Sequence, residues 1–255
     1  GGMLNRVKSM FDSHNKFRTF AELVGFPDSL GSPVPAAADT HGTTVLCLRY
    51  KNGILNLGDR RATAANYIMY DRADKILTLD DHTLVAISGS FARSVEIARY
   101  LRHAFKYYSR TQLQDMSLEG KLQEVSRALA GNLSMSLDGI GVFVPIVSAY
   151  NPATDSLGIY FYDVMGARFE SGEYGAAGSG SDRIRGVFDY IQREKGPFDK
   201  RPLDDVLKDG LTMLDIASRL DSATGDMTNT LPAAKTLTKD GIADVPSSTL
   251  AKAVK

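Results

Sequence analysis

The chain has 255 residues, 43% of them hydrophobic, enough for one sizeable core or two small ones. Thirty basic residues balance thirty acidic ones, which excludes a globally charge-driven partnership with nucleic acid or an anionic membrane. No apolar run approaches the roughly 18 residues of a membrane-spanning helix, and the single Cys47 excludes an intramolecular disulfide framework and suits a reducing cytosol.

Gly1-Gly2 ahead of Met3 reads as an expression scar. Residues 3–42 differ in character from the rest of the chain. A short basic amphipathic start leads to a brief helical patch at Phe20–Val24, then to Gly25–Ala38, dense in Pro, Gly and small residues. Proline removes a backbone donor and glycine is conformationally permissive, so this piece is expected to be irregular, a linker or a removable pro-segment.

From Thr43 the pattern becomes β. Thr44–Tyr50 reads as a strand, Lys51-Asn52-Gly53 supplies the Asn-Gly pair of a tight hairpin, and Ile54–Leu57 returns to Gly58-Asp59-Arg60. Tyr67–Tyr70 and Lys75–Leu79 are expected to pair, and Thr83–Ile87 forms another strand closed by Ser88-Gly89-Ser90. Two long helices come next. Val95, Ile97, Ala98, Leu101, Ala104, Phe105 and Tyr108 share one helical face, and Leu118, Leu122, Val125, Leu129 and Leu133 another, with Ser117 as N-cap. Strands return at Gly141–Tyr150, Leu157–Asp163 and near Ala167–Phe169. Helices are expected from about Asp182 to Arg193 and Leu203 to Leu220, and a closing strand near Ala233–Leu237. Blocks of strands separated by pairs of helices argue for two antiparallel sheets with helical layers outside them, an α+β fold, rather than alternating βαβ units. No linker is visible after residue 43, so the expected organisation is a segment 1–42 and then one domain, 43–255.

The spacing of three polar residues suggests chemistry. Thr43 opens the first strand, Asp59 closes its hairpin partner, and Lys75 opens the next pair. Taken singly, Asp59 is an ordinary turn residue and Lys75 a snorkelling edge lysine. Side by side, they meet at one end of a sheet. A threonine hydroxyl needs a base to become a nucleophile, and an α-amine freed at Thr43 has a reference pKa near 8. A lysine ammonium would lower the pKa of both amine and hydroxyl, Asp59 would balance its charge, and Gly89 would offer an unobstructed N–H to an oxyanion. Histidines 14, 41, 82 and 103 show no metal-ligand spacing.

Thr43-Thr44-Val45, Gly58-Asp59-Arg60-Arg61-Ala62-Thr63, Asp74-Lys75-Ile76, Ser88-Gly89, Gly178-Ser179-Gly180-Ser181 and Asp221-Ser222-Ala223-Thr224-Gly225 resemble the 20S proteasome β subunit, most closely its bacterial, actinobacterial-type form. The resemblance implies the Ntn-hydrolase fold, a four-layer αββα sandwich. It implies a threonine peptidase made by autocatalytic cleavage between Gly42 and Thr43, with Thr43 as nucleophile, Asp59 and Lys75 as the charge pair, and Gly89 as oxyanion donor. Ser179, Asp221 and Thr224, the last standing where many relatives carry Ser, would orient the α-amine and its water. Thr63 would pair with an extended substrate, and Ala62, Ala73, Leu77, Ile87 and Phe91 would line the pocket for the residue before the scissile bond. Phe91 replaces a usual Ala there, and Asp226 replaces a usual Gly after Gly225.

The resemblance further implies cytoplasmic work on unfolded proteins without cofactor or metal. The partners it implies are α subunits, other copies of this chain in heptameric β rings stacked between α rings, and an ATP-dependent unfoldase. No nucleic acid or membrane partner is implied. Two alternatives are an HslV-type peptidase, which usually lacks a long pro-segment and reads Gly-Asp-Gly, and a non-catalytic β-ring subunit, which would have lost Thr43 or Lys75.

Overall fold

The structure is a computed structural model describing residues 44–59, 75–89, 91–131, 143–163, 166–178, 181–220 and 231–254. Within them the chain runs β1 (Thr44–Tyr50), β2 (Gly53–Gly58), β3 (Ile76–Asp80), β4 (Thr83–Gly89), α1 (Phe91–Gln112) and α2 (Leu118–Gly131). It continues with β5 (Phe143–Asn151), β6 (Ser156–Tyr162), β7 (Arg168–Ser171), β8 (Tyr174–Gly178), α3 (Ser181–Lys195), a 3-10 turn (Phe198–Lys200) and α4 (Leu203–Leu220). β9 (Ala233–Thr238), β10 (Gly241–Asp244) and α5 (Ser247–Val254) close it.

Two antiparallel five-stranded sheets result, in the orders β10-β9-β2-β1-β8 and β3-β4-β5-β6-β7. Alternation along each strand sends successive side chains to opposite faces, so each sheet builds two cores. In β1, Leu46, Leu48 and Tyr50 face outward and pack with Ile184 and Phe188 of α3 and Val206, Leu211 and Leu214 of α4. Val45 and Cys47 face inward, where they meet Leu84, Ala86, Ile146 and Ile159 of the other sheet. Outside that second sheet, Val85, Ile87 and Val147 pack with Ile97, Leu101 and Phe105 of α1 and Leu122, Val125 and Leu129 of α2. The layers are therefore αββα, as the order of elements predicts. Each fully buried Leu or Ile contributes about 1.5–3 kcal/mol over its exposed state.

Several elements differ from the sequence reading. Gly53 is the first residue of β2, paired with Tyr50, and the turn proper is Lys51-Asn52. What requires glycine there is space, because a Cβ would lie 2.3 Å from the Leu237 carbonyl oxygen of β9. Gly53→Ala is accordingly expected to destabilise the fold by about 1–3 kcal/mol, read as a lower denaturant midpoint at unchanged slope. β3 pairs with β4, and Tyr67–Tyr70, expected as its partner, lies outside the described residues. β8, with the sequence Tyr-Gly-Ala-Ala-Gly, has no alternation of large apolar residues to announce it, yet it forms the edge beside β1. β9 does not close the chain, since β10 pairs with it and α5 comes after. The Ser117 cap is as expected, its Oγ accepting the Gly120 N–H at 3.1 Å.

Cys47 is a fully buried, packed thiol. Its Sγ donates to Asn56 Oδ1 at 2.9 Å, and Ser148 Oγ donates to the same oxygen at 3.2 Å, joining the two sheets. Burial pushes the thiol from its ordinary 9.0 up to about 12, against a smaller lowering by the hydrogen bond with Ser148. The folded protein therefore holds a proton that the unfolded chain loses between those two values. Stability should be unaffected by this group below pH 9 and fall by about 1.4 kcal/mol per pH unit from there toward pH 12. Cys47→Ser, whose hydroxyl does not ionise in that range, should flatten the alkaline limb of the stability–pH curve.

Candidate active site

The candidate site lies where β1 and β4 meet the ends of β2 and β8. Asp59 comes directly after the last residue of β2 and Lys75 precedes the first of β3, and both are buried. Lys75 Nζ donates to Asp59 Oδ1, while the other carboxylate oxygen, Oδ2, accepts the Thr44 N–H at 3.2 Å. The Asp59 N–H donates in turn to the Thr44 carbonyl at 3.4 Å. One carboxylate thus holds an ammonium and clasps the backbone of the residue next to Thr43.

The backbone of Lys75 is itself fixed, because its carbonyl accepts the Ile87 N–H of β4 at 2.8 Å. β4 then runs on to Gly89, paired with Phe143 of β5. On the other side of β1, Thr44 pairs with Gly178, whose φ of +113° is a conformation that L side chains rarely adopt. From these paired residues the chain passes to Thr43 on one strand and to Ser179 on the other. The segment carrying Asp221 and Thr224 lies between α4 and β9, whose first residue, Ala233, pairs with Gly58.

An ion pair this deep is held by its geometry and extra hydrogen bonds, since desolvation opposes it. Chemically, the arrangement places a fixed positive charge beside a strand start, compensated by a carboxylate that cannot rotate away. Among the described residues no group of three or more His, Cys, Asp or Glu is placed to hold a metal ion. No described helix is long and apolar enough to cross a membrane.

Of the residues singled out from the sequence, Asp59 and Lys75 are brought into contact and Gly89 ends the neighbouring strand. Gly42, Thr43, Ala62, Thr63, Ala73, Ser179, Asp221 and Thr224 lie outside the described residues. Leu77 and Ile87 share the face of the second sheet covered by α1, which Phe91 opens. Ile87 is only 2% exposed and belongs to the core beneath α1 rather than to an open wall, while Leu77 is half-buried against that core. The sequence reading missed Thr44, which it treated as a strand residue. Its N–H is the group that Asp59 holds, and its buried hydroxyl finds no partner among the described residues. A backbone donor leaves no trace in residue type, so only the pairing could reveal it.

The profile of the family described as "Proteasome subunit" matches residues 39–229. A "Proteasome subunit beta" of Streptosporangium roseum is 32% identical over 252 residues, covering 94% of this chain and 86% of that protein. A protein of the same name from Acidothermus cellulolyticus is 34% identical over 158 residues, 60% of this chain and 54% of its own length. A "Proteasome subunit beta 2" of Thermomonospora curvata is 34% identical over 153 residues, again 60% and 54%.

Proposed function

The chain belongs to the proteasome subunit family, as a β-type subunit of the proteolytic 20S core, and from that premise we propose that it is a threonine-type endopeptidase whose nucleophile is Thr43. The observation that carries this reading is the buried Asp59–Lys75 pair clasped to the Thr44 amide, one residue after the proposed nucleophile. In this reading residues 1–42 form a pro-segment and residues 43–255 the mature subunit. While the pro-segment is attached, Thr43 carries an amide nitrogen and lacks its base. Attack of its Oγ on the Gly42 carbonyl, which has no side chain to obstruct it, moves the acyl group from nitrogen to oxygen. Water then cleaves the ester, leaving a carboxylate on Gly42 and a free amine on Thr43.

The freed amine takes the hydroxyl proton of Thr43 as it attacks a substrate carbonyl, and the adjacent Lys75 charge lowers the cost of the developing alkoxide. The Gly89 N–H faces the oxyanion. Ser179, Asp221 and Thr224 orient the amine and its water. Thr63 pairs with the substrate backbone as an added strand. Assembly with other proteasome subunits is a property of the family. We assign this chain to heptameric β rings between α rings, fed with unfolded protein by an ATP-dependent unfoldase, in the cytoplasm.

Intact mass and peptidase assay of the purified particle test the proposal together. A chain starting at Thr43 in an active particle is the expected result, and a free Thr43 amine in an inert particle would make the subunit structural. Ala62, Ala73, Leu77 and Phe91, the proposed pocket residues that remain once Ile87 is placed in the core, are apolar, so cleavage after apolar residues is expected. Phe91→Ala should widen that pocket and raise kcat/KM for bulky aromatic over small aliphatic peptides by about tenfold, the scale of one or two methylenes in a hydrophobic pocket. An unchanged preference removes Phe91 from the pocket.

A further inference from the structure

The sandwich has a second mouth at the end away from Asp59 and Lys75. β1 runs from Thr44 to Tyr50, so the β1–β2 turn lies at that far end, beside the β5–β6 and β9–β10 turns. A cavity of about 820 Å³ opens between these turns, within the range of roughly 300–1,000 Å³ of small-molecule sites. Arg49 reaches it from the inward face of β1, and its Nη2 donates to the Leu157 carbonyl of β6, tying one sheet to the other. One donor so used leaves the rest of the guanidinium fork. Lys51 and Lys239 stand exposed on the rim, and Leu157 and Leu203 add apolar wall.

Among the described residues Arg49, Lys51 and Lys239 form no ion pair. Two carboxylates also line the cavity. Asp155 accepts the Tyr150 hydroxyl at 2.6 Å, so of the two only Asp240 shows no side-chain hydrogen bond to the described residues. Three cations against two carboxylates, one of them already hydrogen-bonded, give the mouth a positive bias beside the apolar Leu157 and Leu203. A charge-assisted pair with a guanidinium is the strongest recognition available there, and it suits a planar or tetrahedral anion.

We infer that this far mouth binds a small organic anion, a carboxylate or phosphate head on Arg49 with an apolar body against Leu157 and Leu203. It is separate from the Thr43 site, being at the opposite end of β1. The test titrates the purified full chain with benzoate and phenyl phosphate, and with benzamide as neutral control, monitored by calorimetry and thermal midpoint. Saturable binding of either anion and none of benzamide is expected, and the tighter anion identifies the head group. Lys51→Gln/Lys239→Gln, at exposed positions that leave the fold intact, should weaken binding about tenfold, as loss of one charge-assisted hydrogen bond does. Arg49→Gln should abolish it, and Thr43→Ala should leave it unchanged. No saturable binding of either anion, or equal binding by the wild type and the Lys51/Lys239 variant, overturns the inference, as does loss of binding in Thr43→Ala.

Discussion

Thr43→Ala is expected to abolish peptide hydrolysis and to leave the Gly42–Thr43 bond uncut, so that the subunit keeps the mass of the full chain. Removing the nucleophile of a covalent hydrolase lowers turnover by a factor on the order of 10⁴ to 10⁶, because no neighbouring group can replace the acyl acceptor. Both effects have one cause in the proposed mechanism, since the same hydroxyl opens its own pro-segment and later the substrate. Thr43→Ser keeps a hydroxyl and should process and retain activity. A peptidase signal from fully assembled Thr43→Ala particles comparable to wild type would sink the assignment, and mass spectrometry on the same sample shows whether cleavage survived.

The second large effect concerns the charge pair. Lys75→Met takes the ammonium away from the buried Asp59 carboxylate, which keeps the Thr44 amide as a donor but loses its countercharge. Breaking a buried pair from one side costs about 3–5 kcal/mol. For a domain of this size that is a fall in Tm on the order of 10 °C. Asp59→Asn/Lys75→Met removes both charges and should recover most of the lost stability, because a buried pair replaced by neutral groups of similar volume is often close to neutral. Activity should not return, since the positive charge proposed to assist the Thr43 nucleophile is gone. Denaturant midpoints and peptide turnover measured on the single and double variants separate the two roles. If the double variant regains both stability and turnover, the pair serves the fold alone.

Much of the architecture was legible in the chain because its signals are local. Val45–Leu48 and Ile54–Leu57 are short, mostly apolar runs on either side of a turn, as strands buried on both faces are, and the i, i+4, i+8 spacing of Ile97, Leu101 and Phe105 marks a helix whatever lies beside it. Elements without such periodicity were not legible. Tyr174–Gly178 is two glycines and two alanines after a tyrosine, and it becomes a strand because β1 offers it an open edge of backbone donors and acceptors. β10 likewise owes its form to the edge of β9 rather than to its own four residues. The Asn-Gly signal at Asn52-Gly53 located a hairpin correctly but misassigned the role of glycine, which answers to the Leu237 carbonyl of a strand far away in the chain.

By itself the sequence singled out Thr43, Asp59 and Lys75 at strand boundaries as candidates for one chemistry, and the order of sheets between helical layers followed from the succession of periodicities. Only the tertiary structure decided that Asp59 grips Lys75 with one oxygen and the Thr44 amide with the other, and that Ile87 belongs to the core beneath α1. Hydrogen-bond partners and burial depend on which strands become neighbours. That choice is made by side chains far apart in the chain, and no local pattern of residues encodes it.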